Sequence, residues 1–340
     1  MNSNSITVAV SGVGGGVGQS IIKSFNKTNY RIVGLNADPL AVGLYAVSKG
    51  YKIPRVNEAN YIKRVLEICK SENIKILFPG LDLELLCLSK NSKRFKDIGT
   101  TVVVSDPKII KICDDKLLTA SFLSNNNISV PATFKLTNFL NNKTALNYPL
   151  IIKPKKGGSR SENVFLIKNK NDLENLFLKT DFKKSKFVVQ EYIKGEEYTC
   201  GTVNLDGKCH GIIVMKRTLR SGDTNKCFTI KNIKIEKEVL KAVRLLKPFG
   251  ACNVQLRLKN NKPYIFEINP RCSGTTAARA ICGFNEPKMI ADYICYKKIP
   301  QYNIKKLSIF RYWQELVVEN KAIEKLTEKG ELTNKSFKNL

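Results

Sequence analysis

The chain has 340 residues, enough for two domains and for a core that buries roughly three quarters of the unfolded surface without disulfide staples. Apolar residues make up 43% and charged residues 25%, which excludes intrinsic disorder and collagen-like order for the chain as a whole. Basic residues exceed acidic ones by 57 − 29 = 28, but they are scattered, so the charge points to solvated lysines and an anionic small molecule rather than to nucleic acid or a membrane.

The first third alternates strand and helix. Ile6 to Val10 is an apolar run, followed by glycines and an amphipathic stretch from Val17 to Phe25. Arg31 to Leu35 is a second run ending near Asp38, a helical period spans Tyr61 to Lys70, and Ile74 to Phe78 and Thr101 to Val104 read as short strands. That alternation predicts a parallel sheet with helices on its faces. From about residue 113 the texture changes. Asp114 to Leu123 reads as one helix, Tyr148 to Lys153 as a strand, Gly157 to Ser161 as a Gly/Ser-rich turn and Val164 to Ile167 as a strand. Asn171-Asp172-Leu173-Glu174 has the form of a capping box opening a helix. Phe187 to Glu191, Glu197 to Asn204 and Gly211 to Lys216 are strand-like, Glu236 to Leu246 is helical, and a hairpin follows around Leu256 and Tyr264. The last twenty residues are polar and read as a frayed helix or tail.

Several chemistries drop out early. The ten cysteines form no C-x-x-C pair, and His210 is the single histidine in a strand-like stretch where a structural role is the expectation, so His-ligated zinc and a Ser-His-Asp triad are not expected. The N-terminus lacks an apolar signal region and no apolar run approaches the roughly 18 residues of a membrane span. Reduced core thiols in a cytoplasmic protein are the expectation.

Ser11-Gly12-Val13-Gly14-Gly15-Gly16-Val17-Gly18 follows a strand and opens a helix, the context in which backbone N–H groups approach a phosphate. The strict G-x-G-x-x-G spacing fails, while G-x-x-G-x-x-G fits at Gly12, Gly15 and Gly18, and Asp38 stands where a ribose-binding acid would. The loop alone divides evenly between NAD(P) binding and a tight strand-to-helix turn.

The second half carries more. In Tyr264-Ile265-Phe266-Glu267-Ile268-Asn269-Pro270-Arg271, alternation puts Glu267 and Asn269 on one face and Phe266 and Ile268 in the core. A two-residue turn would set Gln255 opposite Phe266; a three-residue loop over 260–262 would set it opposite Glu267, and the odd-length loop is expected. Gln255, Glu267 and Asn269 then form an oxygen-rich cluster suited to Mg²⁺, with Arg271 beyond it as a planar donor fork for phosphate. Lys153 closes an apolar strand ahead of a basic Gly/Ser loop able to fold over phosphates. Gln190 to Glu197 joins two strands and offers backbone groups and an apolar wall to a flat base.

In this order and spacing, Glu267-Ile268-Asn269-Pro270-Arg271 with Ser273-Gly274 and the upstream Gln255, Lys153-Pro154 with its glycine loop, Gln190 to Glu197, and Asp115-Lys116 resemble the ATP-grasp superfamily, in its carbamoyl-phosphate-synthase large-subunit-like branch. The resemblance implies an α/β plus α+β fold. Residues 1–112 would be a Rossmann-like pre-ATP-grasp domain and 113–310 a two-subdomain ATP-grasp unit, split into a smaller lid at 113–187 and a metal- and nucleotide-binding part at 188–310. Residues 311–340 would be a C-terminal strand and polar tail. The resemblance also implies roles. Lys116 and Lys153 contact ATP phosphates, Gly157, Gly158, Ser159 and Ser161 belong to the flexible phosphate loop, Gln190, Glu191 and Ile193 frame adenine, and Glu197 holds ribose. Gln255, Glu267 and Asn269 hold Mg²⁺ or Mn²⁺, and Arg271 neutralises the transferred phosphate. The implied reaction activates a small-molecule carboxylate as an acyl phosphate for attack by an amine, with a homodimer as the commonest assembly. There is room for one ATP-grasp unit, whereas the full synthase subunit carries two. Arg160, in the loop, has no assigned role.

The competing expectation is an NAD(P)-dependent oxidoreductase or epimerase on the Gly12–Gly18 loop. It needs a Tyr-x-x-x-Lys dyad, for which Tyr45–Lys49 comes early and Tyr293–Lys297 late, and it leaves Glu267, Asn269 and Arg271 without a task. A basic binding protein with steeply salt-dependent affinity for polyanions is the third.

Overall fold

The computed structural model describes residues 5–158, 161–180, 183–334 and 340. The chain opens with β1 (Thr7–Ser11), α1 (Gly16–Ser24), β2 (Arg31–Asn36), β3 (Lys49–Lys52), α2 (Tyr61–Ser71), β4 (Ile74–Phe78), α3 (Asp82–Lys90), α4 (Ser92–Asp97) and β5 (Thr101–Val102). These strands pair in parallel in the order β3-β2-β1-β4-β5. Every residue of β1 is buried, which is why it is apolar throughout rather than alternating. Val8 and Val10 face one core with Ile21, Phe25 and Phe78, while Ala9 faces another with Val65, Ile68 and Leu77.

The expected helix from Asp114 to Leu123 is two helices, α5 (Pro107–Asp114) and α6 (Lys116–Asn125), parted at Asp115. Asp115 is extended and its carboxylate accepts the Leu117 amide at 3.0 Å, so it caps α6 rather than joining a continuous run. A small antiparallel sheet follows, built from β6 (Thr133–Lys135), β7 (Leu150–Pro154), β8 (Phe165–Ile167) and β9 (Phe187–Glu191), with α7 (Leu136–Leu140) and α8 (Lys170–Lys179) packed on it. The order is β6-β9-β7-β8, so the small sheet runs on to residue 191, past the expected boundary at 187. The α8 cap lies two residues ahead of the expected Asn171: the Asn169 side chain accepts the Asp172 amide at 2.9 Å.

The large sheet contains β10 (Glu196–Leu205), β11 (Lys208–Arg220) and β12 (Asp223–Ile230). After α9 (Ile233–Leu246) come β13 (Gly250–Lys259), β14 (Lys262–Asn269), α10 (Thr276–Ile281), α11 (Glu286–Tyr296) and β15 (Ser308–Phe310). It is antiparallel, in the order β14-β13-β10-β11-β12-β15. One face, with Tyr198, Cys200, Val254, Leu256 and Ile268, packs on the apolar stripe Ile235, Val239, Ala242, Val243 of α9. The other face carries Val203, Leu205, Ile213 and Met215, which join the first sheet's Val8 and Val10 in a single core. The two units therefore share apolar burial, and the polar ends of this second face sit beside the first sheet's loops.

Residues 320–333 are not a frayed tail. α12 (Asn320–Lys329) ends at Gly330 in the left-handed region, φ +71°, and β16 (Glu331–Thr333) pairs antiparallel with β3. Leu326 and Leu332 are buried in the shared core, which is what draws this polar segment back to the first sheet.

Candidate functional site

The hairpin β13–β14 sets the site. Its turn is two residues, Asn260 and Asn261, both with positive φ (+48° and +61°), a conformation Asn tolerates and one that follows the right-handed twist of the strands. The expected odd-length loop over 260–262 is wrong, because Lys259 pairs with Lys262. Gln255 still faces Glu267, since a β-bulge between Gln255 and Leu256 takes up one residue of β14, so that Leu256 pairs with Ile265 and Gln255 with Glu267. Phe266 is the extra residue. It does not join Ile268 in the core; its ring lies 5.4 Å from Lys153 Nζ, on the side of the cleft.

Around this pair the polar groups converge. Asn269 Nδ2 donates to Glu267 Oε1 at 2.9 Å. Lys153 at the end of β7 is 5% exposed and donates to Gln190 Oε1 at 2.9 Å, and Gln190 in turn donates to Thr133 Oγ1 at 2.8 Å. Burial pushes the Lys153 ammonium down to about 8, with Lys116 adding to the fall and Glu267 and Glu197 opposing it. Lys116, buried at the start of α6, donates to the Gly157 carbonyl at 2.7 Å, and its own amide reaches the Lys155 carbonyl at 2.9 Å. It therefore pins the glycine loop. Gly157 and Gly158 hold φ of +66° and +80°, and Ser161 +57°. Ser159 and Arg160 lie outside the described residues.

Glu191 places a carboxylate oxygen 3.3 Å from the Ala132 amide, and Ile193 is buried behind the junction of the two sheets. Glu197 is engaged by two arginines that sequence reasoning missed. Arg217 Nε and Nη2 donate to its Oε1 at 3.0 and 2.7 Å, and Arg257 Nη2 donates to Oε2 at 2.8 Å. Arg217 Nη2 also reaches Gln255 Oε1 at 2.7 Å, and its Nη1 reaches Thr224 Oγ1 at 3.3 Å. The signal was present: Arg217 shares the parity of the buried Ile213 and Met215, an inward face where an arginine has no solvated reading.

Arg271 is held from the other unit. Its Nε and Nη2 donate to the two oxygens of Asp82 at 2.8 and 2.7 Å, and Nη1 donates to the Cys272 carbonyl at 2.9 Å. Burial works against the charge of both partners; mutual attraction offsets it, holding the Asp82 carboxyl below its ordinary value and the guanidinium above its own. Asp82 opens α3 at the carboxyl end of β4, a position where ligand-contacting residues gather in open α/β sheets. Beneath the same face lies a buried network: Arg279 bonds Glu286 Oε1, Thr199 Oγ1 and Asn253 Oδ1, and Asn253 pairs with Asn269 across the ladder.

The donor set fits a hard divalent cation at Glu267 and Asn269, whose oxygens lie on one face. Gln255 joins only by sharing its carbonyl oxygen with Arg217. Among the described residues no three His, Cys, Asp or Glu side chains gather as a metal cluster, so the cation would rest on one carboxylate and amide oxygens.

The Gly12–Gly18 loop has a packing explanation. A Cβ on Gly18 would run into the Gly12 carbonyl, and one on Gly12 into Leu81. Asp38 accepts the Leu40 amide at 2.9 Å and so closes its own turn. Of the two spacings that the oxidoreductase reading would draw on, Tyr45 donates to the Pro39 carbonyl at 2.7 Å while Lys49 pairs with Glu72, and the Tyr293 hydroxyl bonds Asp206 while Lys297 Nζ lies 5.5 Å from the Tyr293 ring centre. Among the described residues no helix is long and apolar enough to cross a membrane.

Comparison with known proteins agrees with this layout. Residues 9–103 match the model of a PylC-like N-terminal domain and residues 113–275 that of an ATP-grasp domain. The chain is similar to a D-alanine–D-alanine ligase A of Bacillus cereus, 27% identical over 232 residues, covering 60% of this chain and 76% of that protein. It is similar to the carbamoyl phosphate synthase large chain of Pseudothermotoga lettingae, 24% identical over 85% of this chain but only 27% of that much longer one. Its fold resembles that of an N5-carboxyaminoimidazole synthetase from Staphylococcus aureus solved with ADP, with a TM-score of 0.66, 17% identity and coverage of 85% of this chain and 78% of that one.

Proposed function

This chain is an ATP-grasp protein of the carbamoyl-phosphate-synthase large-subunit type, and on that premise we propose that it is an ATP- and Mg²⁺-dependent ligase joining a small-molecule carboxylate to an amine. The observation that carries the reading is the register of the hairpin, which sets Gln255 opposite Glu267, with Asn269 bonded to Glu267 and the Glu267 charge acting on the buried Lys153.

The nucleotide lies between the small sheet and the large one. Lys153 and the loop pinned by Lys116 take its phosphates, with Gly157, Gly158 and Ser161 as the loop's contacts. Gln190, Glu191 and Ile193 line the base and Glu197 the ribose, its carboxylate oriented by Arg217 and Arg257. A cation held by Glu267 and Asn269, with Gln255, supplies neutralisation of the phosphate oxygens. In the first step a carboxylate oxygen bonds to the γ-phosphorus as the bond to the β–γ bridging oxygen breaks, releasing ADP. Lys153 and Arg271 hold the transferred group while its charge spreads. In the second step the amine nitrogen bonds to the acyl carbon, the bond from that carbon to the phosphate oxygen breaks, and nitrogen loses a proton as phosphate leaves. Positioning and charge dominate both steps, so a chain with one histidine is no obstacle.

The test is thermal stability with Mg²⁺·ATP and, separately, with NAD⁺ and NADP⁺. Ligand at 100 times its dissociation constant adds roughly 2.7 kcal/mol, visible as a melting shift. A Mg²⁺·ATP shift that disappears in Glu267→Gln, with the unliganded melting point retained, is expected. A shift with NAD⁺ or NADP⁺ alone refutes the reading.

A further inference from the structure

Two acids act on Arg271. Asp82 holds it in a fork, and Glu267, four residues back along the chain, also acts on its charge. The guanidinium side chain is 10% exposed, so it cannot satisfy itself with water if its partner is lost. Its backbone is tied to the end of β14 by the Arg271 amide on the Asn269 carbonyl at 2.8 Å, which leaves only side-chain torsions to decide which acid it meets. Asp82 is supplied by the first unit, from the turn Gly80-Leu81 that Glu84 ties down through both backbone amides at 3.0 and 2.9 Å. Glu84 is itself buried and takes further donors from Ser11 at 2.8 Å and Tyr61 at 2.6 Å, so this turn is rigidly braced.

We propose that Asp82 is a positioning residue for Arg271: the first unit's carboxylate keeps the guanidinium off Glu267 and turned toward the transferred phosphoryl group. The inference rests on the ligase reading, and it makes the ATP-grasp unit incomplete without the domain that precedes it. Of the five N–H groups of a guanidinium, two go to Asp82 and one to Cys272, and the remaining two, without a partner among the described residues, suit a phosphate oxygen. Pairing with Glu267 instead would spend the donors and the metal carboxylate together.

The test uses the full chain with inorganic phosphate in the presence of Mg²⁺·ADP, read as melting shift across a phosphate titration, with Mg²⁺·ATP alone as the control for nucleotide binding. Asp82→Asn removes a negative charge, so a carboxylate acting through charge alone would bind phosphate tighter when lost. Positioning predicts the reverse: phosphate affinity falls about tenfold, the cost of a misplaced charge-assisted contact, while the Mg²⁺·ATP shift is kept. In the double variant with Arg271→Lys, Asp82→Asn adds nothing further. Should Asp82→Asn lower the unliganded melting point, Asp82→Glu decides, because it keeps the charge and moves the carboxylate by one methylene; phosphate affinity must still fall. Unchanged or tighter phosphate binding overturns the proposal, as do additive effects in the double variant, or a wild type that binds Mg²⁺·ADP and gains nothing from phosphate. A wild type with no Mg²⁺·ATP shift refutes the ligase reading instead.

Discussion

The two walls of the cleft treat their cations in opposite ways. On the small-sheet wall, Lys153 and Lys116 are buried against neutral oxygens, the Gln190 amide and the Gly157 carbonyl. On the large-sheet wall, Arg217 and Arg257 share Glu197, and Arg271 is forked onto Asp82. A buried cation with a neutral partner is destabilising while the site is empty, and an arriving anion relieves that cost. A buried cation with an acid is already neutralised, and what it gives a ligand is orientation. The small-sheet wall therefore supplies affinity for phosphate, and the large-sheet wall supplies geometry.

The largest expected effect breaks this comparison at Lys153. Lys153→Met keeps the apolar stem in its strand and deletes the desolvated charge. Mg²⁺·ATP binding should weaken by about 2–3 kcal/mol, the worth of a charge-assisted contact, while the unliganded protein melts higher than the wild type. Calorimetric titration and a melt of the same variant check both. A lower unliganded melting point would mean that Lys153 is stabilised by a partner after all.

The same residue gives a pH dependence. Its value falls from 10.5 in the unfolded chain to about 8 in the folded one. Between these values the unfolded chain holds a proton that the folded chain has shed, so from this group stability rises with pH across that window. Below about 8 both states are charged and the burial cost is felt in full. Lys153→Met should remove the rise, seen as the difference between the two melting curves from pH 8 to 10. Affinity of the wild type for Mg²⁺·ATP should decline across the same interval, as the ammonium discharges.

On the opposite wall the effect is smaller and falls on the fold first. Arg217→Gln leaves Glu197 with Arg257 alone and frees the Gln255 oxygen. An under-satisfied, largely buried carboxylate costs roughly 1–3 kcal/mol, measured by urea unfolding. Mg²⁺·ATP binding should weaken less than in Lys153→Met. The reverse order would put Arg217 among the phosphate cations and erase the difference between the walls.

What the sequence made legible follows the same division. Lys153, Glu267 and Asn269 could be found because each ends or follows an apolar run, where a charge or amide has no solvated reading. The facing of Gln255 and Glu267 was expected for the wrong reason. Two errors cancel there: the turn is one residue shorter than expected, and the bulge at Phe266 absorbs the difference. A bulge has no signature in local alternation, because the pattern reads the same until the partner strand is known. Asp82 and Arg257 were missed because their partners are 189 and 60 residues away, and pairwise electrostatics at that separation exists only after folding. The return of β16 to β3 was hidden likewise, since a segment with two buried leucines is polar by composition.

The smallest effect sharpens the affinity side of the comparison. Gly157 sits at φ +66° with no atom of the described residues within 4 Å of where a Cβ would go, so among those residues Gly157→Ala meets no clash and carries the backbone cost of the left-handed region, about 1–2 kcal/mol. That cost falls on a surface loop that can open locally, so the global melting point should move little. The loop's bound geometry, however, is anchored by Lys116 on the Gly157 carbonyl. Relaxing φ toward negative values swings that carbonyl away and releases the Lys116 ammonium. If Lys116 serves phosphate only by shaping the loop, Mg²⁺·ATP affinity falls with Gly157→Ala and Lys116→Met adds nothing to it. If the freed ammonium reaches phosphate itself, Gly157→Ala leaves affinity near that of the wild type, and Lys116→Met is the more damaging change.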